Sequence, residues 1–176
     1  GSVRSVSVSH SMYNVGGMGR FYLIRKLLNG DVCGNRAIML DDDEDISSSF
    51  ISDLKRHAGD RVYASLWAYK LGKSYWTDRV IPGDGGIVDY CGTGGSIIDS
   101  SVFKNKSLFN DLPLRYWFIE DLWLSFFVKN LGWKLKKVDT AVDFVDIKQD
   151  SYHKLSTKKE EFYHLLYDKS SGKLKK

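Results

Sequence analysis

This sequence predicts an α/β fold in which helices flank a sheet, and three observations carry that expectation. Val6 and Val8 alternate with serines as a short strand; glycine-rich Asn14-Val-Gly-Gly-Met-Gly-Arg20 follows. An apolar pattern at Phe21, Leu23, Ile24, Leu27 and Leu28 then reads as an amphipathic helix. Ala37-Ile-Met-Leu40 is a continuous apolar run that suits a parallel strand covered on both faces, and it ends in Asp41-Asp-Asp-Glu-Asp45. Strand-type and helix-type segments continue beyond it, with ligand-type loops after strands.

Taken in order, the first helix should stop at Asn29-Gly30. Ser47-Ser48-Ser49 offers an N-cap for a helix through Phe50, Ile51 and Leu54 that ends near Ala58-Gly59. Residues 61–69 are rich in strand formers, with Tyr75-Trp76-Thr77 as the expected partner strand. Pro82-Gly-Asp-Gly-Gly86 is a turn, Ile87 to Tyr90 a further strand, and Phe103 to Pro113 reads as irregular surface. Glu120-Asp121 leads a helix from Leu122 to about Asn130, stopped by Leu131-Gly132. Trp133 to Val138 alternates apolar residues with lysine as a half-buried strand, and Thr157 with Glu160 reads as a capping box for a last helix.

Composition narrows the class. A chain of 176 residues with 43% hydrophobic and 14% aromatic content can bury a core, and one domain over residues 3–168 is expected. Gly1-Ser2 reads as a cleavage scar outside the fold. The net charge of +4 is accounted for by residues 154–176, where seven lysines face Glu160, Glu161 and Asp168. The remainder is neutral, which argues against a nucleic-acid groove over the body, and residues 169–176 read as a basic tail or linker. No apolar run approaches the ~20 residues that span a bilayer, so no transmembrane segment is expected. Nothing at the start reads as a signal peptide. Cys33 and Cys91 make no disulfide framework and lack metal-site spacing, so a reduced, cytoplasmic setting is expected.

Three stretches could carry chemistry. The glycines of the Asn14–Arg20 loop would let backbone amides approach a phosphate, although the loop matches neither the dinucleotide fingerprint nor the NTPase phosphate loop. Crowded like charges at Asp41-Asp42-Asp43 call for a cation, and a divalent metal is the simplest. An EF-hand is excluded, because its sixth and twelfth positions would be Ile46 and Ser52 instead of Gly and Glu. Glu120-Asp121 sits at a helix start, which keeps a carboxylate ionised as a general base must be, behind the aromatic Trp117-Phe118.

In this order the pieces resemble the nucleotide-sugar-dependent glycosyltransferases of the GT-A fold, in particular the inverting family two and its rhamnosyl- and galactofuranosyltransferase-type members. The matching residues are Asn14–Arg20, Asp41-Asp42-Asp43, Gly92-Thr-Gly-Gly95 and Phe118-Ile-Glu-Asp-Leu122. The resemblance implies a Rossmann-like, mostly parallel sheet and the transfer of a sugar, from a UDP-sugar foremost, to a glycan hydroxyl. It implies Asp43 as main ligand of Mn²⁺ or Mg²⁺, with Asp41 towards the ribose and Asp42 beside it. Asn14, Gly17 and Arg20 would hold the nucleotide or its phosphates. Asp121 would be the base and Glu120 a positioning group; Gly92, Thr93, Gly94, Gly95 and Trp117 would form the sugar-acceptor cleft. His153 would be a further metal ligand. The family's opening strand–helix–strand unit, which binds the nucleoside base, is not read ahead of Asn14, and is expected either to lie outside this sequence or to be reduced. A nucleotidyltransferase and a non-catalytic carbohydrate-binding or degenerate transferase module remain the alternatives.

Overall fold

A computed structural model describes residues 8–29, 34–145 and 155–170. The elements in chain order are α1 (Met18–Asn29), β1 (Arg36–Met39), β2 (Glu44–Ile46), α2 (Phe50–His57), β3 (Val62–Ser65) and β4 (Ala68–Leu71). Then come β5 (Arg79–Val80), β6 (Tyr90–Cys91), β7 (Ser96–Asp99), α3 (Ser107–Asn110), α4 (Glu120–Asn130), β8 (Lys134–Lys137), β9 (Val142–Phe144) and α5 (Ser156–Ser170). The fold is mixed α/β, a mixed sheet flanked by helices. Among the described residues no helix is long and apolar enough to cross a membrane.

The central sheet has the order β1-β7-β3-β8. Side chains alternate across a strand, so each strand feeds two cores. Ile38, Ile97 and Ala64 lie in register and meet Phe50 and Leu54 of α2, which packs on one face. Ala37, Met39, Ile98, Tyr63 and Leu135 feed the larger core on the other face, together with Met18 and Phe21 of α1, Leu124 and Val128 of α4, and Phe162 of α5. A three-stranded sheet of order β5-β4-β6 stands beside it, and β2 pairs with β9.

The sheet is not mostly parallel. Among the described residues only β3 and β8 pair in parallel, and the other ladders are antiparallel. The apolar run of β1 correctly announced a strand, but its burial comes from α2 on one side and α1 on the other. It pairs only with β7, antiparallel, among the described residues. Covering both faces makes a strand apolar throughout and says nothing of its direction.

Other expectations change for local reasons. The stretch expected as irregular surface contributes to the core: Val102, Phe103, Leu108, Phe109 and Leu112 are buried. The first four lie on a 3₁₀ turn (Ser100–Lys104) and the one-turn α3, too short to show a helical period. Asp99 caps the 3₁₀ turn by accepting from the Ser101 N–H at 3.0 Å. Tyr75-Trp76-Thr77 is a turn, held by Ser74 Oγ accepting from two backbone N–H groups, and the partners of β4 are β5 and β6. Ser49 precedes α2 but makes no side-chain cap; its hydroxyl donates to Asp53. Thr157 lies inside α5, and Glu160 accepts from the Tyr75 N–H at 3.1 Å instead of closing a capping box. The strand expected at Val6 and Val8 lies largely outside the described residues, and Val8 is exposed.

Candidate functional site

β1 delivers the acidic cluster to the edge of a cavity. After Met39 the chain turns at Asp42-Asp43 and enters β2. Asp41 Oδ1 accepts from Arg20 Nη1 at 2.8 Å. Burial alone would lower the Arg20 pKa, but the Asp41 carboxylate outweighs it and holds the guanidinium above its ordinary value. Glu44 braces the turn: Oε2 accepts from the Asp41 N–H at 3.1 Å and Oε1 from Trp67 Nε1 at 3.0 Å. Gly94 is what lets these acids come together. A Cβ there would lie 2.4 Å from Asp41 Oδ2 and 2.9 Å from Glu44 Oε1. Asp43 is half-buried on the cavity wall, and among the described residues its carboxylate has no partner. Asp42 is exposed and does not line the cavity.

α4 delivers the second carboxylate. Asp121 Oδ2 accepts from Tyr90 Oη at 2.6 Å and Lys159 Nζ at 2.7 Å, while Oδ1 accepts from the Leu122 N–H at 2.7 Å. Burial raises a carboxyl, but Lys159, Tyr90 and the amide overcome it and hold Asp121 below the ordinary carboxylate range. Ser125 fixes α4 against β6, accepting from the Cys91 N–H and donating to the Cys91 and Asp121 carbonyls. Burial pushes the Cys91 thiol up, leaving it an inert core residue.

Between the two acids lies a cavity of about 470 Å³ lined by aromatics, with Gly92, Thr93 and Gly94 on its wall. Trp67 stacks on Phe144 at 5.7 Å and Tyr69 on Tyr90 at 5.8 Å, while Tyr75 meets Tyr90 edge-on. Gly92 brings its backbone onto that of Trp67, its N–H donating to the Trp67 carbonyl at 2.6 Å. Gly95 turns the chain into β7 with a left-handed φ of 59°.

Several expected site residues stand elsewhere. The glycine loop holds a protein carboxylate: a Cβ at Gly17 would lie 1.7 Å from Glu120 Oε1. Glu120 is therefore packed against the start of α1, buried and away from the cavity lining. Burial, and then the neighbouring Asp121 charge, raise its pKa from 4.5 to about 7. Asn14 closes a local turn by accepting from the Gly16 N–H. Arg20 braces Asp41 from behind without lining the cavity. Trp117 packs beside Tyr22 at 6.3 Å, and its buried indole N–H has no partner among the described residues. His153 lies outside the described residues.

The lining also contains residues that the sequence did not announce: Glu44, Trp67, Tyr69, Tyr75, Arg79, Tyr90, Phe144 and Lys159. Glu44 could have been read from its place in the acidic run. Lys159 and Arg79 carry no local signal.

Asp43, Asp41 and Glu44 line one cavity, and carboxylates are the donor type suited to Mn²⁺ or Mg²⁺. Among the described residues no three His, Cys, Asp or Glu groups cluster as a ready-made metal cage. A cation here would share its coordination with ligand oxygens and water, the usual habit of Mg²⁺.

Glu120 and Asp121 give opposite pH signatures. The raised folded-state value means that Glu120 stabilises the fold at low pH and loses that contribution as pH rises from 4.5 to about 7. Asp121, with a lowered value, stabilises the fold above the ordinary carboxylate range and loses that contribution as pH falls below it. Glu120→Gln should match wild type in stability at low pH and exceed it increasingly as pH rises from 4.5 to about 7, keeping that advantage above it. Urea unfolding at several pH values measures this, and a pH-independent difference contradicts it.

No protein-family model matches the chain, and no curated protein matches it. The cavity itself carries the functional reading.

Proposed function

We propose that the chain is a metal-dependent inverting glycosyltransferase of GT-A type, moving a sugar from a nucleotide-diphosphate sugar, UDP-sugar foremost, to a hydroxyl of a glycan acceptor. One observation carries the reading: Asp43 in the turn between β1 and β2 and Asp121 at the start of α4 line the same aromatic-walled cavity.

Asp43, with Asp41 and Glu44, would hold Mn²⁺ or Mg²⁺. Bound there, the cation would offset the negative charge that grows on the departing diphosphate. Arg20 keeps Asp41 in place. The aromatic walls suit the apolar faces of sugar rings and exclude water. Asp121 accepts the proton of the acceptor hydroxyl, and Tyr90 fixes the carboxylate that receives it. The Lys159 contact makes Asp121 a weak base, so proton transfer trails C–O bond formation. Attack from the face opposite the leaving diphosphate inverts the anomeric centre.

Calorimetry with UDP tests the metal end. The wild type should bind UDP in the presence of Mn²⁺ and lose at least about tenfold in affinity without it, or on Asp43→Ala. Binding indifferent to both refutes the assignment.

The same weak basicity favours one second reading, a non-catalytic carbohydrate-binding module. Release of UDP from UDP-sugars that stops in Asp121→Asn excludes that reading; no release by the wild type supports it.

A further inference from the structure

We propose that Arg79 selects acceptors that carry an anionic substituent, a carboxylate or a phosphate. The proposal rests on the glycosyltransferase reading for the word acceptor, but the anion site itself does not.

Arg79 begins β5 and lines the cavity. Its guanidinium carbon stands 4.7 Å from the Tyr69 ring centroid, 5.4 Å from that of Trp76 and 6.0 Å from that of Tyr75. Stacking uses the faces of a guanidinium and leaves its N–H edge for a ligand. Among the described residues Arg79 has no carboxylate partner, and the acids around it are committed. Asp78 turns to the Lys73 N–H, Asp89 pairs with Lys129, and Asp121 pairs with Lys159. An arginine in a cavity, positioned by aromatic rings and without a carboxylate partner among the described residues, is suited to meet an anion from outside. Its planar fork matches carboxylate and phosphate oxygens in pairs.

Its place in the cavity assigns the anion to the acceptor. Arg79 stands on Tyr69, Tyr69 stacks on Tyr90, and the Tyr90 hydroxyl donates to Asp121. That series of contacts leads to the base. At the opposite end, the phosphates of a donor would meet the cation held by Asp43, and the nearby Arg20 is already engaged with Asp41.

Equilibrium binding of glucose, glucuronic acid and glucose 6-phosphate, followed by NMR titration, tests this, with manganese–UDP affinity measured on the same samples. The wild type should prefer at least one charged sugar over glucose by about tenfold, the factor expected from charge-assisted hydrogen bonds, and the two charged arms separate carboxylate from phosphate recognition. Arg79→Gln should lose the preference, Arg79→Lys should keep part of it, and manganese–UDP affinity should not change. A wild type that binds manganese–UDP without discriminating the sugars overturns the proposal alone. So does an Arg79→Gln variant that still discriminates, or one that weakens UDP binding while the sugar preference persists. A wild type that prefers a charged sugar but does not bind manganese–UDP overturns the glycosyltransferase reading and leaves the anion site standing.

Discussion

The buried contact between Asp121 and Lys159 is the interaction on which the site depends. Both side chains are almost withdrawn from water, at 14% and 5% exposure. Taking two such charges out of solvent is unfavourable unless each satisfies the other, and removing one partner of such a pair generally costs about 3–5 kcal/mol. Here the pair joins α4 to α5, and Tyr90 adds β6 to the same carboxylate. The cavity wall is therefore assembled by the same charges that set its chemistry. Without Lys159, Glu120 and Asp121 would stand as adjacent acids in a buried place with no cation bonded to either among the described residues.

Environment sorts these neighbouring acids into different roles. Asp121 faces a lysine, a tyrosine and a backbone amide, and is held ionised. Glu120 turns the other way, into the space left by Gly17, where burial and its neighbour's charge keep its proton on to about pH 7. A helix start favours carboxylates in general. Only the packing on each side decides which one meets solvent and ligand. The glycine loop has likewise found a carboxylate to cradle, within the protein itself.

The parts legible in the sequence were those with a local cause. An apolar run ending in acids placed Asp41 and Asp43 at a strand end, and an acidic pair before an apolar stretch placed Asp121 at a helix start. Glycines at 92 and 94, expected only as cleft lining, stand where a Cβ would meet Trp67 and Asp41. What could not be read depended on long-range packing. Lys159 reaches Asp121 across 38 positions and looked like one more lysine of a basic stretch. Tyr69, Tyr75 and Arg79 became cavity lining only when the small sheet folded against the large one. Strand direction was equally hidden, since α2 and α1 can cover an antiparallel strand as completely as a parallel one.

In the proposed reaction, the acids after β1 and the acid of α4 serve one transfer within one cavity. Anomalous X-ray scattering from crystals grown with Mn²⁺ and UDP tests it most directly. A manganese peak is expected within coordination distance of Asp43, with the UDP diphosphate on the cavity side of the ion and Asp121 across the cavity from it. Manganese or UDP bound away from Asp43, or no manganese in crystals that contain UDP, would contradict it.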